Sequence, residues 1–153
     1  MNTIELKIND ELVKKFGIPK YQTQKAAALD LYACIENPIK IFPCKNAKLI
    51  STGIAISISN PNIMAMIVPR SSCGHKKGLI LGNSIGIIDA DYLGTIFISV
   101  WNRNPKNTIP IIIEPGERIA QLIFVPIIRT NFNIVEAFSE NSVRGEKGFG
   151  STG

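Results

Sequence analysis

The amino-acid sequence predicts an all-β domain of sandwich or barrel type. Apolar residues recur with period two in several short runs, and turn residues interrupt those runs at close intervals. No 12-residue stretch bears a clean helical stripe. Taken in order, "ALDLYAC" reads as a strand that holds Asp30 between two leucines, so this carboxylate is expected at a bend or paired. In "GIAISISNPNIMAMIVP", Ile54, Ile56 and Ile58 alternate with small or polar residues. The run turns at Asn-Pro-Asn and resumes as a second strand. "RSSCGHKKG" is the best helix candidate: Ser71 or Ser72 can cap it and Gly78 can end it, which allows about two turns.

"GNSIG" resembles a turn, with a hairpin expected around it. "TIFISVWN" puts Ile96, Ile98 and Val100 on one face. "TIPIIIEPGE" and "RIAQLIFVP" are two further strands joined at Pro115-Gly116, with Pro110 and Pro126 at strand ends or sheet edges. After "FNIVEAF" the chain becomes "SENSVRGEKGFGSTG", a Gly- and Ser-rich tail by composition. The division is therefore a β domain over 1–138 and a flexible Gly-rich arm over 139–153.

The chain of 153 residues suits a single core, and 45% hydrophobic with 19% charged residues is a globular balance. The net charge is +5, but the 17 Lys and Arg form no run longer than two. Aromatic residues do not interleave with them, which argues against a nucleic-acid platform. The diffuse positive balance suits a solvated surface or a small polyanionic ligand. Cys34, Cys44 and Cys73 are odd in number and lack C-x-x-C spacing, so reduced thiols in a cytoplasm are expected. The N-terminal stretch has no apolar signal core, and the longest apolar runs fall short of the ~20 residues that span a bilayer.

Several residues carry candidate chemistry. Arg70, Ser71 and Ser72 gather a guanidinium fork and two hydroxyls at a predicted helix start, an anion-binding combination as well as an ordinary capped turn. Asn83 has an amide donor and acceptor beside a bend whose backbone groups can read a ligand edge. If 88–92 is extended, Asp89 and Asp91 share one face roughly 7 Å apart, and Tyr92 takes the other. In the plainer reading both acids simply end the strand. Arg118 and Gln121 sit in an apolar strand, either reaching a phosphate or marking a sheet edge. His75, the single histidine, lies among lysines and reads as a solvated surface residue.

Taken together, "AALDLYA", "PRSS", "GNSIGIIDADYLG", "GERIAQL" and "RGEKGFGSTG" resemble, in the same order, the five motifs of the homotrimeric deoxyuridine triphosphatases. The intervening "ISVWNR" and "PGERIAQLIFVP" are similar to the bacterial branch. The resemblance implies a jelly-roll-like fold of β-clip type with one short helix near residues 71–77. It also implies a trimer with sites at subunit boundaries, and magnesium-assisted hydrolysis of dUTP to dUMP and pyrophosphate. That reaction limits uracil in DNA and supplies dUMP for dTMP synthesis.

By resemblance, Asp89 is the acid that activates water. Asn83 and the backbone of Ile87, Ile88 and Asp89 read uracil, Tyr92 lies beneath the deoxyribose, and Phe97 lines the same pocket. Arg70, Ser71, Ser72 and Gln121 hold phosphates. Asp30 supports the water and metal network, with magnesium itself held by phosphates and waters. Arg144, Phe149, Gly150, Ser151 and Thr152 belong to the closing arm, with Phe149 stacking on uracil. Ser72 stands where the family usually has glycine. The alternatives are a dCTP deaminase of the same fold and a non-catalytic nucleotide-binding module; no nucleic-acid or membrane partner is expected.

Overall fold

The computed structural model describes residues 3–140 together with 142, 143, 145, 146 and 148. Chain order among them is β1 (Glu5–Ile8), α1 (Leu12–Phe16), β2 (Leu29–Tyr32), β3 (Ile39–Ile41), β4 (Lys48–Ser51), β5 (Ile54–Ser57) and β6 (Ile63–Pro69). A short helix α2 (Cys73–Lys77) follows, then β7 (Leu79–Leu81), β8 (Gly86–Ile88), β9 (Phe97–Asn102), β10 (Ile111–Ile113) and β11 (Arg118–Pro126). The strands pair antiparallel into a four-stranded sheet β2-β11-β6-β8, a three-stranded sheet β4-β9-β7, and the pairs β1-β5 and β3-β10. This is the all-β architecture expected from the period-two runs.

The core forms where those alternating faces meet. Leu31, Ile41, Ile50, Ile54, Ile98, Ile113, Ile119 and Leu122 are almost fully buried within one cluster. In β9 the predicted face holds: Ile98 and Val100 are buried, as is Ile96 just before the strand, while Phe97 and Trp101 are exposed. The turn at Asn60-Pro61-Asn62 is closed by the Asn60 side chain, which accepts the Asn62 N–H at 3.0 Å.

Two local expectations are corrected. The first helix, α1, was not anticipated. Asp10 caps it by accepting the Leu12 N–H at 2.9 Å, and Gly17 ends it with φ 99. Its five residues are too few to give a helical stripe, and its stability comes from docking. Phe16 packs so closely on Gly116 (φ 74) that a β-carbon there would lie 2.5 Å from the ring. In α2 the serines do not cap by side chain: Ser72 is already helical at φ −67, and Gly74 N–H donates to Arg70 C=O at 3.1 Å. The turn therefore starts at Arg70, and both serine side chains are exposed. Gly78 does end it, in the left-handed conformation with its N–H on Cys73 C=O.

The three thiols are free, with Cys44 exposed and Cys34 and Cys73 buried. Burial, reinforced by the nearby Asp10 charge, pushes the Cys34 thiol up to about 11. Burial also raises Cys73, against the lowering effect of Lys77 and Arg70. Iodoacetamide at mildly alkaline pH should therefore alkylate Cys44 in the native protein and reach the other two only in denaturant. Labelling of Cys34 at the rate of Cys44, read by peptide mass spectrometry, would contradict this burial. The same shift has a sign for stability. Below the ordinary thiol range Cys34 is protonated in both folded and unfolded chains. As pH rises toward 11 only the unfolded chain ionises, so stability falls across that window.

Candidate active site

The exposed Asp89 of "GNSIGIIDADYLG" sits at the end of β8, an outer strand of the four-stranded sheet. Being paired only to β6, β8 presents one row of backbone N–H and C=O groups outward. Asn83, Ile87, Ile88, Asp89, Tyr92 and Phe97, all singled out in the sequence, line one pocket of about 320 Å3, completed by Leu49, Ile67 and Gly86. Leu49 was missed because nothing in the β4 sequence marks it. It reaches the pocket through β4–β9 pairing, where Ser51 lies opposite Phe97.

The expected hairpin is replaced by a crossing between sheets. "GNSIG" does turn, with Ser84 N–H on Leu81 C=O at 3.2 Å, but β7 pairs with β9 while β8 pairs with β6. Nor is 88–92 extended. Tyr92 N–H donates to Asp89 C=O at 3.1 Å, so the chain turns immediately after Asp89. Asp89 and Asp91 therefore do not form a pair on one strand face. Both border a second pocket of about 400 Å3 with Met64, Ile127 and Arg129. Asp89 thus forms the wall between the two pockets. Tyr92 is fixed by its hydroxyl, which donates to Thr95 C=O at 2.9 Å. Thr95 is held in turn by the Asn9 amide at 2.9 Å.

The other polar candidates meet elsewhere. Asp30, 2% exposed, lies on β2 directly opposite Gln121 of β11. Gln121 is not at an edge: β11 pairs on both sides, with β2 and β6. Arg70 Nε is 2.9 Å from Asp30 Oδ1, a close ion pair whose N–H is not aligned on that oxygen. Arg118 Nη1 donates to Asp30 Oδ2 at 3.1 Å. Both oxygens of this carboxylate thus face guanidinium groups. Lys77 and Glu117 form an ion pair beside them, tying α2 to the turn before β11.

The two groups lie apart within one chain. Asp89 follows Ile88, which is opposite Ala65, whereas Arg70 follows Pro69 at the far end of β6. The strand rise over Ala65 to Arg70 puts their backbones roughly 17 Å apart. Among the described residues no group of three His, Cys, Asp or Glu is placed to hold a metal. Arg144, Phe149, Gly150, Ser151 and Thr152 lie outside the described residues.

An acid and an amide thus stand beside Tyr92 and Phe97 at a sheet edge, and two arginines gather on Asp30 apart from them. The sequence model of one family, dUTPase, matches residues 14–153. The chain belongs to the dUTPase family. It is 53% identical over 151 residues to the deoxyuridine 5'-triphosphate nucleotidohydrolase of Francisella tularensis subsp. holarctica (strain FTNF002-00 / FTA), covering 98% of both chains. It is 48% identical to the protein of the same name from Escherichia coli O45:K1 (strain S88 / ExPEC), covering 100% of this chain and 99% of that one. Among solved structures, the Staphylococcus bacteriophage 80alpha dUTPase with dUPNHPP superposes with a TM-score of 0.83 at 27% identity, over 100% of this chain and 99% of that one. The dUTPase assignment and the jelly-roll-like fold expected from the ordered motifs therefore stand, and the relatives are bacterial. No helix among the described residues is long and apolar enough to cross a membrane.

Proposed function

We propose that this dUTPase hydrolyses dUTP to dUMP and pyrophosphate, with Asp89 as the base that activates the attacking water. The observation that carries the reading is the exposed Asp89 carboxylate on the rim of a pocket bounded by Asn83, the unpaired β8 edge, Tyr92 and Phe97. A uracil needs two backbone-like hydrogen-bond partners and an amide, which a free strand edge and Asn83 can supply. Cytosine in that setting leaves buried donors and acceptors mismatched. The Tyr92 ring, fixed against Thr95, is a rigid floor beneath the sugar that leaves no space for a ribose 2′-hydroxyl.

Asp89 takes a proton as the water oxygen bonds to the α-phosphorus. The bond from that phosphorus to the bridging oxygen breaks, and pyrophosphate leaves with the electron pair. Little covalent work falls to the protein, so alignment and neutralisation dominate. Arg70, Ser71, Ser72 and Gln121 are the proposed phosphate ligands, each charge-assisted contact contributing about 1.5–3 kcal/mol. Magnesium, when bound, neutralises phosphate charge and orients the phosphate chain. The ion would be held by phosphates and waters, and Asp30, whose oxygens both face arginines, would support that network through Arg70 and Arg118.

We further propose that a site is completed between copies in a homotrimer. The backbone separation of Asp89 from Arg70, roughly 17 Å by strand rise, supports a reading in which a neighbouring copy brings the arginine cluster to the pocket. Ile128, Phe132, Ile134 and Phe138, all at least 90% exposed, give the segment after β11 an apolar row that self-association would cover. Residues 139–153 are the proposed closing arm, with Arg144, Phe149, Gly150, Ser151 and Thr152 meeting the nucleotide. Unpaired thiols at three positions suit a cytoplasmic location.

The test is to incubate purified protein with magnesium and either dUTP or dCTP in heavy-oxygen water. Pyrophosphate from dUTP alone, with label in dUMP, is the expected result. Ammonia from dCTP would favour a deaminase, binding without turnover a non-catalytic module, and label in pyrophosphate attack at a different phosphorus.

A further inference from the structure

We propose that Arg118 is a positioning residue for Arg70, acting through Asp30; the inference rests on reading Arg70 as a phosphate ligand. The geometry begins with the register of β11 against β2. Gln121 lies opposite Asp30 and Ala120 opposite Leu31, but the next partner of Tyr32 is Arg118. Ile119 is therefore the extra residue of a bulge. Strict alternation from Gln121 would aim residue 118 away from Asp30, and the bulge returns it to the same face.

On that face Arg118 occupies one carboxylate oxygen of Asp30, at 3.1 Å. Arg70 is left with the other oxygen, approached side-on through Nε at 2.9 Å. Its Nη1 donates instead to the backbone carbonyl of Arg118, at 3.3 Å. An arginine with a buried carboxylate to itself closes on both oxygens as a fork. By competing for Oδ2, Arg118 prevents that closure and keeps part of the Arg70 fork turned outward. Two guanidiniums on one carboxylate also leave one positive charge uncompensated, which suits a polyphosphate. The surrounding contacts keep the arrangement in register: Lys77 pairs with Glu117, and the Cys73 thiol points at the Arg118 carbonyl at 3.7 Å.

The experiment is calorimetric titration of the full chain with the imido analogue of dUTP and with dUMP, beside steady-state hydrolysis. Arg118→Ala should weaken the imido analogue about tenfold and raise KM with little change in kcat, leaving dUMP within about twofold. Arg118→Lys still fills the Oδ2 side and should recover most of the loss. If Arg118→Ala does not fold, Arg118→Gln, too short to reach Oδ2, takes its role. The double variant Arg70→Ala/Arg118→Ala should lose no more than Arg70→Ala alone. Additive losses would mean that Arg118 grips phosphate directly and would overturn the proposal, as would unchanged affinity in Arg118→Ala and Arg118→Gln. Failure of the unaltered chain to bind the imido analogue would instead bring down the phosphate reading itself.

Discussion

Asp89→Asn should lower kcat for dUTP by about 10²- to 10⁴-fold while leaving the affinity for the imido analogue nearly unchanged. The amide has the shape of the carboxylate and can still accept hydrogen bonds, so the pocket keeps its walls. What it loses is a basic oxygen able to take the proton of the attacking water. The loss corresponds to about 3–5 kcal/mol of activation free energy. Asp91 is the internal control. It lies in the turn that follows Asp89 and borders the second pocket but not the one lined by Tyr92 and Phe97. Asp91→Asn should therefore cost no more than severalfold in kcat. Steady-state pyrophosphate release with matched calorimetry checks both variants. A near-normal kcat in Asp89→Asn, with the large loss in Asp91→Asn, would reverse the assignment.

Asp30→Ala should be the most destabilising single substitution in the polar cluster, by about 2–3 kcal/mol. Removing one partner of a buried ion pair typically costs about 3–5 kcal/mol. The lower figure applies because the side chains of Arg70 and Arg118 are 26% and 42% exposed and can turn partly to water. The loss should appear as a lower urea midpoint at unchanged slope, with protein concentration held fixed because the proposed self-association would contribute to apparent stability. Asp30→Asn should fall between the two, keeping contact with the arginines but not the charge. Unaltered midpoints in both variants would mean that this carboxylate contributes no net stability.

Much of the fold was legible because burial on one sheet face imposes a period of two. The alternation of Ile96, Ile98 and Val100 marked the buried face of β9, and Asn60-Pro61-Asn62 marked the turn before β6. Less was legible where structure depends on few residues or on distant ones. The helix α1 has five residues and is held by Phe16 on Gly116, a contact across the chain that no local pattern announces. The expected hairpin at "GNSIG" failed for a related reason. A turn sequence specifies a change of direction, while which strand pairs with which depends on the faces available in the whole molecule.

The site divides in the same way. The family could be named from five motifs in order along the chain, and Asn83, Asp89, Tyr92 and Phe97 could be grouped because they lie close together in sequence around one turn; they do line one pocket. The partners of Asp30 could not. That carboxylate meets Arg70 and Arg118 only after β11 inserts between β2 and β6, and Arg118 faces it only because of a one-residue bulge. Residue types determine which charges must find partners. The register of strands far apart in sequence decides which partners they find, because each added residue reverses the face that a side chain occupies.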